Sequence, residues 1–214
     1  GKKGLQEKTI TLDVAKKLKK LIEKNLDIKV IMTRDEDSFV PLWKRTKMAN
    51  ENDGKLLISI HANSASKSPR ARGFETYLLR PGKFDDAVEI VKRENNVIEL
   101  EEDKEKYLDL SDDDFIAASI EQNIYIKESE FFAAEIQKQI DKISTSPNRG
   151  VKQAGFYVLV GATMPNVLIE LGFLSNRTEE KMLGKSSYRQ KLANSIFEAI
   201  LIFKERYESQ LIEE

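Results

Sequence analysis

Two short stretches of this chain, Leu56-Leu57-Ile58-Ser59-Ile60 and Val167-Leu168-Ile169-Glu170-Leu171, are almost continuously apolar. Runs this short, bounded by turn residues such as Asp53-Gly54, read as strands covered on both faces, an arrangement typical of sheets packed between helices. Amphipathic segments flank them. From Glu7 to Lys24, apolar residues recur at Ile10, Val14, Leu18, Leu21 and Ile22, a helical stripe with lysines opposite. Leu42–Asn52, Asp86–Leu100, Glu128–Ile143 and Tyr188–Tyr207 are further expected helices, and helical character is expected around Phe115–Ile126. Ile28–Thr33, Gly73–Leu79 and Gly155–Val160 are expected strands, being rich in β-branched or aromatic residues. This alternation predicts an α/β domain spanning residues 1–214, with a mostly parallel or mixed central sheet flanked by helices and a helical insertion at about 84–127.

Charge excludes some functions. The 35 Lys and Arg nearly cancel the 36 Asp and Glu, so the clear basic excess of a nucleic-acid binder is absent. With no cysteine, disulfides, thiolate metal sites and cysteine nucleophiles are all ruled out. No run of 18 apolar residues exists, so no membrane span is expected. The opening Gly1-Lys2-Lys3-Gly4 carries no initiator Met and reads as a trimmed start, so the missing signal peptide says little about location. Neither a Gly-x-Ser-x-Gly elbow nor a phosphate-binding loop is present.

Three ionisable residues stand out. His61 is the only histidine, and it closes the first apolar run, at the strand end where α/β sheets bind ligands. A lone histidine is more often a hydrogen-bonded structural residue; the strand-end position narrows that preference without reversing it. Glu170 sits inside the second run, where an unpaired carboxylate is costly. It either pairs with a cation or has a raised pKa suited to acid–base work, and the pattern does not choose. Glu7 opens the first helix, where an acidic residue is favoured by the helix dipole alone.

Several blocks in order carry a family resemblance: Gly4-Leu5-Gln6-Glu7-Lys8, Thr33-Arg34-Asp35, Leu42 to Asn50, and Ser59-Ile60-His61-Ala62-Asn63. They continue with Arg72-Gly73-Phe74-Glu75-Thr76-Tyr77, Arg149-Gly150-Val151-Lys152, Gly155 to Leu159, and Pro165 to Asn176. Together they resemble the zinc-dependent N-acetylmuramoyl-L-alanine amidases of bacterial cell walls, the type 3 family. The resemblance implies Zn2+ as cofactor, Glu7 and His61 as metal ligands, and Glu170 as the catalytic glutamate. It also implies a further ligand, a histidine expected upstream of Gly1. Glu7 and His61 alone are too few for tight zinc binding, so the resemblance leaves open an inactive or metal-free state for this chain by itself. Peptidoglycan is the implied partner, and the periplasm or cell envelope the implied location. Arg93-Glu94-Asn95 is similar to the start of a helical segment that, in some envelope members, covers the active site until an activator protein displaces it. Glu94 is therefore the expected autoinhibitory residue. Two other readings stay open: a non-catalytic peptidoglycan-binding module with a decayed metal site, and a different metallohydrolase or peptidase on a similar sheet.

Overall fold

The computed structural model describes residues 1, 4–65, 67–79, 88–103 and 123–213. Helix α1 (Glu7–Asn25) buries Ile10, Val14, Leu18 and Ile22, spaced four residues apart so that they stack on one face. Helix α2 (Leu42–Glu51) leads through a turn with Asp53 at φ 51 into strand β1 (Leu57–Asn63). Strand β2 (Phe74–Leu79) follows, then α3 (Val88–Asn95) with a 3-10 turn at Asn96–Leu100. Helix α4 (Ile126–Asp141), strand β3 (Asn148–Ala154), strand β4 (Asn166–Phe173), α5 (Arg177–Leu183) and α6 (Ser186–Glu213) complete the described chain.

The four strands form one mixed sheet in the order β1-β4-β2-β3. β1 runs parallel to β4 and β2 parallel to β3, whereas β2 and β4 are antiparallel. β4 lies inside the sheet and all eight of its residues are buried. Its alternation splits the core in two. Val167, Ile169 and Leu171 join Ile10, Ile136, Ile196 and other residues of α1, α4 and α6 on one face. Leu168 joins Tyr77, Leu79, Phe156 and Leu159 on the other, beneath Leu42 of α2 and Ile90 of α3. Glu170 alternates with the second set, so it faces the side crossed by α2 and α3.

The sequence expectation fails at three places. Residues 28–33 form no strand, since they have no hydrogen-bonded ladder. Val30 packs on the core, while Ile28 and Ile31 are exposed. β1 is half-buried over Leu57–His61 because it is a sheet edge, paired only with β4 among the described residues. Residues 155–160 are not a strand: Tyr157–Leu159 make a 3-10 turn, and the strand is the polar segment just before it. Here tertiary contacts override strand propensity. Asn95 takes the backbone groups a ladder would need, donating to the Gly155 carbonyl at 3.0 Å and accepting from Tyr157 N–H at 3.1 Å. Of the expected helix at Phe115–Ile126, residues 115–122 lie outside the described residues; Asn123–Tyr125 are a 3-10 turn leading into α4.

A candidate metal and catalytic site

Parallel pairing sets His61 of β1 beside Glu170 of β4, and antiparallel pairing sets Glu75 of β2 beside the same Glu170. Three ionisable residues therefore form a row across three strands on one face. The N-terminus of α1 brings Glu7 to the open end of that row. Its Oε1 accepts from Ala62 N–H at 2.9 Å and lies 3.2 Å from His61 Nδ1. On the other ring nitrogen, Nε2 meets Ser59 Oγ at 3.0 Å, which fixes the imidazole plane. A fourth group comes from α3: Glu94 Oε2 stands 2.8 Å from the same Nδ1.

Two carboxylates on one imidazole nitrogen make an unusual proton site, because a single N–H cannot point at both. Burial works against a charged His61, but the charge of Glu94 and the bonds from Glu7 and Glu94 outweigh it and raise its pKa to about 10. Glu94 moves the opposite way. Burial would raise it, yet protonated His61 and the adjacent Arg93 hold its carboxyl down at about 2.

One atom each from Glu7, His61 and Glu94 fall within 4.8 Å of one another. Tetrahedral zinc ligands at about 2.0–2.2 Å from the ion stand about 3.3–3.6 Å apart, close to the separations from His61 Nδ1 found here. Ser59 supplies the outer hydrogen bond that usually orients a ligating histidine. The donor set fits a divalent cation of the zinc type.

Glu170 is fully buried, and neither carboxylate oxygen has a hydrogen-bond partner. Its nearest cation is Arg93, with Nη2 at 3.7 Å. Burial first, then the negative charge of Glu94, push its pKa well above the usual carboxylate range. A carboxyl poised this way can both accept and return a proton.

The structure thus brings together Glu7, His61 and Glu94, with Glu170 next to His61 in the sheet. It adds a third donor, Glu94, to the two metal ligands expected from sequence. Sequence reasoning gives no role to Arg93, which donates to Glu94 Oε1 from Nε at 2.9 Å and from Nη2 at 2.6 Å, and to Asn63 Oδ1 at 3.1 Å. Its Nη1 also donates to the Ser64 carbonyl. Sequence reasoning misses Glu75 too, although it breaks the apolar run of β2 as Glu170 breaks that of β4.

The sequence profile described as N-acetylmuramoyl-L-alanine amidase matches residues 1–201. The chain is similar to the N-acetylmuramoyl-L-alanine amidase AmiA of Escherichia coli K12, 30% identical over 216 residues covering 98% of this chain and 72% of the relative. It is similar to AmiC of Escherichia coli O6:H1, 31% identical over 94% of this chain, and spans about half (48%) of that relative. Among solved structures, the N-acetylmuramoyl-L-alanine amidase of Clostridium difficile 630 is similar at a TM-score of 0.69 and 26% identity, covering 94% of this chain and 85% of the other.

Proposed function

This chain belongs to the N-acetylmuramoyl-L-alanine amidase family and hydrolyses the amide joining N-acetylmuramic acid to L-alanine in peptidoglycan; we propose that it does so as a zinc enzyme with Glu170 as proton carrier. One observation carries the reading: the metal-type donors of Glu7 and His61 converge beside a buried carboxyl that has no hydrogen-bond partner.

Glu7 and His61 are the resident ligands of the working site. A zinc ion held by Glu7 and His61 would supply Lewis acidity to the lactyl carbonyl and to the attacking water. Glu170 accepts the proton of the attacking water. It then delivers that proton to the departing nitrogen, so the stem peptide leaves as a free amine. Burial suits Glu170 to both steps, since it keeps the proton affinity of the carboxylate high.

Residues of about 84–127 form a regulatory insertion within a single catalytic domain. With α3 seated, Glu94 occupies the place of a ligand on His61, and Arg93 lies against Glu170. An activator protein displaces this segment. Location in the periplasm or cell envelope follows from the substrate, and no helix among the described residues is long and apolar enough to cross a membrane.

Glu170→Gln is the direct test. Release of intact stem peptides from purified muropeptides, read by mass spectrometry, is expected to be abolished while zinc content and thermal melting are kept. Full activity in that variant sinks the assignment.

A further inference from the structure

Asn63 ends β1 two residues beyond His61 and is wholly buried. Hydrolysis by zinc and Glu170 gives it no work. Its amide is nevertheless held from both sides. Nδ2 donates to Glu75 Oε1 at 2.9 Å, and Oδ1 accepts from Arg93 at 3.1 Å. An ionised carboxylate only accepts and a guanidinium only donates, so no other orientation of the amide satisfies both neighbours.

Glu75 is kept ionised by its neighbours in the sheet. It is fully buried, which alone would raise its pKa, but hydrogen bonds from Lys152 and Arg149 bring it below the usual carboxylate range. Both cations reach one oxygen: Arg149 Nε lies 2.7 Å and Lys152 Nζ 2.8 Å from Oε2. A bulge makes that convergence. Phe74 pairs with Asn148 but Thr76 pairs with Val151, so β3 carries one residue more than β2 across this interval. Gly150 absorbs the turn at φ 78. Without the extra residue, positions 149 and 152 would project to opposite faces.

Arg149 and Lys152 thus fix Glu75, Glu75 fixes the Asn63 amide, and the outcome is one acceptor, Oδ1, turned to the guanidinium that also lies near Glu170. The donor filling it, Arg93, comes from α3 of the insertion. A single guanidinium touches Asn63 Oδ1 and, at 3.7 Å, Glu170 Oε1. When α3 leaves, a buried acceptor loses its partner, a state that is costly unless another N–H takes the place. The substrate offers one where it is needed, on the nitrogen that Glu170 must protonate.

We infer that Asn63 Oδ1 receives the N–H of the scissile amide nitrogen, that Glu75 is the residue positioning this acceptor, and that Arg93 stands in for the substrate N–H while α3 is seated. The inference rests on the amidase reading. In the reaction the water oxygen bonds to the lactyl carbon and the carbon–nitrogen bond breaks. The nitrogen gains the proton from Glu170 and keeps its original hydrogen on Asn63. As positive charge grows on that nitrogen, a fixed acceptor stabilises it without reorganising.

The test is a polarity swap. In Glu75→Gln, the new oxygen faces the two cations and the new NH2 faces Asn63. The Asn63 amide then turns over and presents NH2 to the substrate. In Asn63→Asp, two carboxylates face each other. Each single variant is expected to lose about a hundredfold in kcat/KM on muropeptides. The double variant Asn63→Asp/Glu75→Gln leaves the charge of the cluster unchanged. Its amide at position 75 donates to the carboxylate at position 63, which still offers an oxygen to the substrate. It is expected to return to within about tenfold of the unsubstituted protein. Singles with unchanged kcat/KM, or a double no better than the singles, overturn the inference.

Asn63→Ala in a Glu170→Gln background gives a second readout that needs no turnover. Calorimetry with N-acetylmuramoyl-L-alanine is expected to show weakened affinity, and equal affinity overturns the inference even if the swap variants unfold. If the unsubstituted protein releases no stem peptide, the amidase reading itself falls. If it does and only the Asn63 variants behave normally, that reading stands alone.

Discussion

Glu94→Gln keeps the volume of the side chain and removes the charge that seats α3 on the site. The bond it weakens spans 2.8 Å to His61 Nδ1, from a side chain only 10% exposed. A charge-assisted bond of this kind contributes about 1.5–3 kcal/mol. The depression of the Glu94 pKa from 4.5 to about 2 corresponds to a similar figure, about 3 kcal/mol at 1.36 kcal/mol per unit. Gln still offers a neutral acceptor, so the lower half of the range applies, and each 1.4 kcal/mol is tenfold in the seated-to-open ratio. Hydrolysis of muropeptides without activator is therefore expected to rise about ten- to thirtyfold. Deleting residues 84–127 sets the ceiling for that rise. The assay is stem-peptide release by zinc-loaded protein, with zinc content and melting temperature measured in parallel. An unchanged basal rate in a folded, zinc-replete Glu94→Gln protein refutes the idea that α3 restrains the site.

Two other outcomes follow from the same groups and from the core. In chelator, His61, whose pKa rises from 6.5 to about 10, contributes its stability fully below pH 6.5 and loses it as pH climbs toward 10. Glu94, depressed to about 2, contributes above its ordinary 4.5 and loses that as pH falls. Glu170, raised by burial, adds a penalty as pH rises above 4.5. The melting temperature of the metal-free protein is thus expected to peak near pH 4.5–6.5, and in Glu94→Gln its alkaline fall should be smaller and end at lower pH; a flat profile contradicts the His61–Glu94 pairing. Separately, Ile136→Ala on α4 removes a fully buried side chain between helix and sheet. A loss of about 2–5 kcal/mol, or roughly 4–20 °C in melting temperature, is expected by calorimetry, and a shift under about 2 °C would mean that α4 is not docked as described.

What could be read in advance depended on how local the signal was. Ile10, Val14, Leu18 and Ile22 announce α1 because a four-residue repeat is a property of the segment itself. The apolar runs of β1 and β4 are legible for the same reason, and with them the placing of His61 at the close of one run and Glu170 within the other. Residues 28–33 and 155–160 mislead because β-branched composition states a preference, while a strand requires a neighbour; Asn95, some 60 positions away, takes the backbone of 155–157 instead. Glu75 carries the same local signal as Glu170. Its partners do not, since Asn63, Arg149 and Lys152 meet it only through sheet order and a one-residue bulge. Glu94 draws attention by resemblance alone. A Glu after an Arg on a short amphipathic helix is otherwise indistinguishable from solvated surface.

The antiparallel pairing of β2 with β4 has a consequence for how α3 can be moved. β1 and β4 arrive at the site with their C-terminal ends, whereas β2 starts there, with Glu75 second in the strand. The chain leaves β2 at Leu79, four residues and about 13 Å further from Glu170. To put Arg93 and Glu94 on the site, the insertion has to travel back across the sheet face. It is held there by side-chain contacts: Asn95 on the Gly155–Tyr157 backbone, Glu101 accepting from Leu42 N–H at 2.8 Å, and Ile90 in the smaller core. None of these is a ladder bond, so the proposed displacement of α3 would unpair none of the described strands. Among the described residues these attachments are made by side chains, which suits the proposed regulation: opening the site would cost a few polar contacts and leave the larger core under α1, α4 and α6 untouched.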